Sequence, residues 1–288
     1  MSKKEDFNTK IAPNWCPGCG NYSIWSSLKQ AFVELDLEPH QIIMTYDIGC
    51  SGNGADKLNT YAFKSLHGRT IPVAIGAKIA NPNMTVISTG GDGGIFEEGI
   101  NHLIWAARSN YDITVIMHNN QRFALTTGQP TTTTKKGQPG KTAPYGVVEN
   151  QLIPAQIALV SQASFVAKGF AGDITQLVKL IKSAVNHKGF SFLEVLQPCV
   201  TLNKVNTFEW FKQRVYKLED KKNYDPSDWN KAFDITKESD EKIATGIIYQ
   251  DKDSVPYTQR LPHRKDKSST LVEEVKKYGI DELIKEFE

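Results

Sequence analysis

Apolar residues fall into two alternating rhythms along the first two hundred positions. At residues 20–35, Ile24, Trp25, Leu28, Ala31, Phe32 and Leu35 keep the three- and four-residue spacing that lines one face of a helix. A β-rich run at 42–48 follows. Further helices are predicted at 72–80, 95–108, 154–162 and 174–186, with strands at 84–89, 113–118, 165–167 and 190–196 between them. Strands alternating with helices of this length imply βαβ units: an α/β fold whose parallel sheet carries helices on both faces. Ligands of such sheets gather beyond the carboxyl ends of the strands. The segments Gly49 to Gly54, Gly90 to Gly94 and Asn119-Asn120 each follow a predicted strand. The polar stretch 121–148, with Thr131 to Thr134 inside it, is too long for an idle connection and is expected to be functional or ordered by a partner.

Charge divides the 288-residue chain in two. The first 200 residues hold 17 basic and 14 acidic side chains, and the last 88 hold 17 and 18. A surface so poor in charge predicts a body, residues 1–203, that a partner covers. Residues 204–288 are expected to be a solvated, partly helical extension, with Trp210, Phe211, Tyr224, Trp229 and Phe233 available for docking and an amphipathic helix at 271–287. The formal net charge of +2 gives no argument for nucleic acid or an anionic membrane. The chain starts on polar residues without an apolar leader, and its longest apolar stretch, 152–171, is broken by Gln156, Ser161, Gln162, Ser164 and Lys168. A cytoplasmic protein is expected, in whose reducing surroundings the four cysteines are free thiols or metal ligands.

Two groups of residues carry chemistry. In Thr89-Gly90-Gly91-Asp92-Gly93-Gly94, glycines allow a phosphate close to the backbone, a helix N-terminus follows, and Asp92 offers a hard oxygen for Mg²⁺. An Asp-Gly pair is also an ordinary turn. Asn120 stands 28 positions beyond Asp92, one strand later, so the two side chains can meet across neighbouring strand ends. The second group is the knuckle Cys16-Pro17-Gly18-Cys19-Gly20 with Cys50 and Cys199, which as thiolates suit zinc or iron–sulfur; the wide spacing of the last two is unlike a zinc ribbon. A free buried cysteine is the plain alternative for Cys199.

The Gly91-Asp92-Gly93…Asn119-Asn120 pair resembles the signature of thiamine diphosphate enzymes. That resemblance implies Mg²⁺ held by Asp92, Asn120 and the backbone carbonyl of Arg122. Together with the cysteines, Asp47-Ile48-Gly49-Cys50-Ser51, His67-Gly68-Arg69, Lys78-Ile79-Ala80-Asn81-Pro82, Thr127-Gly128-Gln129 and Gln197-Pro198-Cys199, the chain resembles, over residues 12–203, the β subunits of 2-oxoacid:ferredoxin oxidoreductases.

The family resemblance implies a thiamine diphosphate-binding, pyrophosphate-type domain in which Cys16, Cys19, Cys50 and Cys199 hold a [4Fe–4S] cluster. It also implies CoA-dependent oxidative decarboxylation of a 2-oxoacid, or its reversal. Loss of CO₂ leaves electrons that a cluster can take singly and pass to ferredoxin, while coenzyme A takes the acyl group. By position in the family motifs, Ser51 would touch the cofactor, and His67 would touch the reacting centre or the diphosphate; a structural histidine is the alternative. Arg69 would orient a phosphate or form an ion pair, and His102 and His118 receive no role. Glu97 and Glu98 lie on the wrong side for the carboxylate that activates the thiamine ring, which implies an α subunit. Asn53 stands where relatives acting on 2-oxoglutarate often have a basic residue, with Lys57 nearby; 2-oxoglutarate is expected slightly ahead of pyruvate. The competing readings are a non-redox thiamine enzyme with structural zinc and an electron-transfer subunit without catalysis of its own.

Overall fold

The computed structural model describes residues 2–237, 241–265, 268–275 and 284–285. Side chains on neighbouring positions of a strand point to opposite faces, and here both faces are apolar. Val86, Val115 and Phe192 belong to one core, while Ile87, Ile116 and Leu193 belong to the other. A sheet buried on both sides follows. Its strands are β1 (Ile42–Tyr46), β2 (Tyr61–Lys64), β3 (Thr85–Gly91), β4 (Thr114–Asn119), β5 (Phe165–Phe170), β6 (Ser191–Leu196), β7 (Val215–Lys217) and β8 (Ile243–Gln250), in the order 2-1-3-4-6-5-8-7. Every pairing is parallel except β5 with β8.

The cores are closed by helices. On one face lie α1 (Gly20–Glu34) and α5 (Ile174–Asn186), which place Ile24, Leu28, Phe32, Leu177 and Ile181 against the sheet. On the other lie α2 (Thr70–Ala80), α3 (Ile100–Ser109) and α4 (Pro154–Val160), contributing Ile71, Leu103 and Leu159. The α/β fold and its two covered faces agree with the sequence pattern.

Three differences have physical causes. Strand β2 escapes the pattern because all four of its residues are exposed at the sheet edge. The single helix expected at 95–108 is a π-helical turn, Gly93–Glu98, followed by α3, because Gly99 passes so close to the Gly68 and Gly94 carbonyls that a Cβ there would sit 2.8 Å from both oxygens. The charged extension is partly built into the sheet: β7 and β8 belong to it, and Phe211, Ile243 and Ile248 are buried. Of the helix expected at 271–287, Leu271–Val275 is helical with no fully buried residue, and most of the remainder lies outside the described residues. Among the described residues no helix is long and apolar enough to cross a membrane.

Consecutive strands run outward in both directions from β1 and β3, which makes their carboxyl ends the topological switch point where α/β sheets bind ligands. Asp47, Asp92, Asn120 and Gln197 all stand one residue past a strand, and the register aligns Tyr46 with Thr89, Gly91 with His118 and Asn119 with Leu196.

Candidate functional site

Asp92 leaves β3 fully buried. Its Oδ2 accepts the Thr131 hydroxyl at 2.5 Å and the Thr133 hydroxyl at 2.8 Å, and Oδ1 accepts the Asn120 backbone N–H at 3.3 Å. Burial pushes the carboxyl up to about 6, although these donors favour the charged form. Asn120 is turned by its own neighbours: Oδ1 accepts Arg122 N–H at 2.9 Å, and Nδ2 donates to Gln197 Oε1 at 3.2 Å. The two residues meet across neighbouring strand ends through the Asn120 backbone, whereas the sequence predicts a meeting of side chains. The Arg122 guanidinium laces the long loop, donating to Thr134 Oγ1 and the Gln121 and Pro139 carbonyls.

A cavity of about 130 Å³ opens beside this pair, lined by Ser51, His67, Gly91, Gly93, His118 and Asn120 among others. Ser51 Oγ is buried there without a partner among the described residues. Glycine at 93 is steric necessity, since a Cβ would lie 2.3 Å from the Phe123 ring. Asp47, fully buried, ties the walls together: Oδ1 accepts Ile48 N–H at 2.7 Å and Gly68 N–H at 2.9 Å, and Gly94 packs so tightly on Oδ2 that a Cβ would come within 1.9 Å. Desolvation raises the Asp47 carboxyl as well. His118 accepts from Thr89 Oγ1 through Nε2 and donates from Nδ1 to Asn21 Oδ1, which fixes the neutral ring, and burial lowers it to about 3.

Other candidates stand elsewhere. Arg69 donates to His102 Nε2 at 2.9 Å, a ring nitrogen rather than a carboxylate, and stands outside the cavity lining. Lys57 is committed to Asp56 at 2.7 Å. Glu97 accepts Thr132 N–H, holding the loop.

The four cysteines line one neighbouring cavity of about 310 Å³, together with Asn53. Hydrogen bonds fasten their segments: Trp15 Nε1 to the Cys50 carbonyl at 2.7 Å, and Gly20 N–H to the Pro198 carbonyl at 3.4 Å. Burial, then mutual repulsion among the thiolates, pushes Cys50 up to about 11; Cys19 reaches the same value although Asn21 donates a backbone N–H to it. Among the described residues no three His, Cys, Asp or Glu side chains are gathered as a single-ion site requires. Four soft thiols around one cavity are a donor set compatible with either a tetrahedral zinc or an iron–sulfur cluster. Cys50, Asn120, Ala124, Leu125 and Gln197 line both cavities.

Sequence reasoning missed Thr131, Thr133, Asp47 and Gln197 as parts of the site. The run of threonines was the available signal for the first two.

The chain is similar to known proteins along most of its length. Residues 47–195 match the thiamine pyrophosphate enzyme family, C-terminal TPP binding domain, and residues 199–266 match the family of C-terminal regions of the pyruvate ferredoxin oxidoreductase β chain. A 2-oxoacid:ferredoxin oxidoreductase subunit beta from Saccharolobus solfataricus is 39% identical over 87% of this chain and 86% of its own. Subunit beta of 2-oxoacid:ferredoxin oxidoreductase 1 from Aeropyrum pernix is 36% identical over 90% and 84%. Among solved structures, the 2-oxoglutarate:ferredoxin oxidoreductase from Magnetococcus marinus, with 2-oxoglutarate, coenzyme A and succinyl-CoA bound, superposes with a TM-score of 0.88 at 30% identity, covering 92% of this chain and 90% of that one.

Proposed function

Because the chain belongs to the β subunits of 2-oxoacid:ferredoxin oxidoreductases, we propose that it performs the decarboxylating and electron-accepting half of a CoA-dependent 2-oxoacid oxidation, with ferredoxin as acceptor and the site completed by an α subunit. The observation that carries this reading is the shared wall between the Asp92–Asn120 cavity and the four-cysteine cavity.

Asp92 and Asn120, with the Arg122 carbonyl, would hold Mg²⁺, and the cation would relieve the cost of a carboxylate buried away from water. Thiamine diphosphate, when bound, supplies the carbanion that attacks a 2-oxo carbon and the sink for electrons left by CO₂. Gly91 and Gly93 leave backbone space for the diphosphate, and the unpartnered Ser51 hydroxyl would be satisfied by a polar atom of the cofactor. His67, half-buried on the cavity wall against Phe123, would donate to the diphosphate or the substrate. Cys16, Cys19, Cys50 and Cys199 would bind a [4Fe–4S] cluster.

For substrate, the neighbour solved with 2-oxoglutarate favours that acid over pyruvate. Asn53 opens on the cysteine cavity rather than on the Asp92–Asn120 cavity, and Lys57 is held by Asp56, so neither is set to meet a distal carboxylate of a substrate bound at the cofactor. The test is co-purification with the α subunit without oxygen, followed by CoA-dependent viologen reduction with a panel of 2-oxoacids. A higher kcat/KM for 2-oxoglutarate and loss of Mg²⁺-dependent cofactor binding in Asp92→Ala are expected. Zinc in place of iron would favour the non-redox reading; cofactor binding untouched by Asp92→Ala would remove the site.

A further inference from the structure

One of the residues shared by the two cavities hydrogen-bonds into both halves of the site. Gln197 stands directly after β6 and is 1% exposed. Its Oε1 accepts Asn120 Nδ2 at 3.2 Å, and its Nε2 donates to the Pro198 carbonyl at 3.0 Å and to Cys19 Sγ at 3.4 Å. The neighbours settle which end of the amide is which. A carbonyl and a sulfur both require a donor, and Asn120, whose Oδ1 already accepts Arg122 N–H, presents its own donor to Gln197. Space for the amide comes from Gly20, where a Cβ would lie 2.9 Å from Gln197 Cγ. Glycine directly after Cys19 thus serves the glutamine as well as the turn.

We infer that Gln197 is a positioning residue that sets the reduction potential of the cluster and, through the same amide, the orientation of Asn120 towards Mg²⁺. This rests on the proposed reading of the four cysteines as cluster ligands. An N–H donated to a ligating sulfur withdraws negative charge from it and favours the reduced cluster. On the other side, a partner that fixes a metal-ligating side chain governs metal affinity, typically by tenfold or more. The amide therefore couples the group that gives up electrons to the group that receives them.

Two substitutions separate the halves of the claim. Gln197→Leu removes donor and acceptor together. Gln197→Glu keeps an acceptor for Asn120 but replaces the sulfur's donor with a negative charge. The α/β complex is purified anaerobically, its midpoint potential is read by EPR-monitored titration, and its Mg²⁺ affinity by thiamine diphosphate binding. Gln197→Leu is expected to lower the one-electron equilibrium constant about tenfold, about 59 mV, and to weaken Mg²⁺ affinity about tenfold. Gln197→Glu should lower the potential at least as far while Mg²⁺ affinity stays within about twofold of wild type. If Gln197→Leu loses iron, Gly20→Ala, which displaces the amide without deleting it, must lower the potential in the same direction. An unchanged potential in an iron-loaded variant overturns the inference. Wild-type protein without any cluster overturns the functional reading beneath it instead.

Discussion

Removing one hydroxyl shows how Asp92 is kept ready for a cation. Thr131→Val preserves side-chain shape and deletes the 2.5 Å hydrogen bond to Asp92 Oδ2, leaving Thr133 at 2.8 Å. A hydrogen bond to a charged group is worth about 1.5–3 kcal/mol and one pKa unit is about 1.4 kcal/mol. The carboxyl, at about 6 in the intact protein, should therefore rise by about one to two units. At pH 7 its ionised fraction then falls from about nine tenths to between about one half and about one tenth. Because the cation binds the carboxylate and competes with the proton, apparent Mg²⁺ affinity should weaken about two- to tenfold at pH 7 and recover almost fully at pH 9. Calorimetric titration of Mg²⁺ into the complex with saturating thiamine diphosphate, at both pH values, measures this. Equal affinities at pH 7, or a loss of the same size at pH 9, would refute the account of Asp92 as a desolvated carboxylate held charged by hydroxyls.

Three further outcomes follow from the same structure. Lys168 and Glu194 form an ion pair at 3.3 Å with both side chains about 2% exposed, and Asn119 Nδ2 donates to Glu194 Oε1 at 2.7 Å; Lys168→Met should cost about 3–5 kcal/mol in urea unfolding, and adding Glu194→Gln should restore most of it, whereas equal stabilities would contradict a desolvated pair. His118 titrates in the unfolded chain near 6.5 and in the folded one near 3, so its contribution is complete above 6.5 and declines as pH falls, by about 1.4 kcal/mol per unit; stability curves between pH 7.5 and 4.5 should be shallower for His118→Gln, and parallel curves would count against it. Gly94→Ala would put a Cβ 1.9 Å from Asp47 Oδ2, forcing apart the loops that Asp47 joins, and should abolish thiamine diphosphate binding in a protein that retains its far-UV circular dichroism; normal binding would show that these loops adjust freely.

What could be read from the sequence was whatever obeys a local period. Asp92 and Asn120 stand one residue past β3 and β4, and Cys50 and Cys199 follow β1 and β6, so their neighbourhood followed from the order of elements, whereas Cys16 and Cys19 precede α1 and had only their own spacing as a signal. Strand β2 lacks a local period because water covers both its faces. In the extension, β8 begins Ile-Ala-Thr-Gly-Ile-Ile, but the surrounding charge concealed a segment that the sheet buries. The run of threonines marks the loop but not its clasp on Asp92, 39 and 41 positions away, and Gln197 meets Cys19 across 178; contacts of that range arise from the folded sheet.

The central claim is that one chain joins a thiamine diphosphate site to an electron-accepting cluster. It is tested most directly by adding 2-oxoglutarate, without coenzyme A, to the anaerobically purified α/β complex and following the visible absorption and EPR of the iron. The account predicts about four irons per β chain and reduction of the cluster by the substrate that requires Mg²⁺ and thiamine diphosphate and is lost in Asp92→Ala. Iron absent from the cysteines, or a cluster that the substrate reduces equally well without the cofactor, would contradict it.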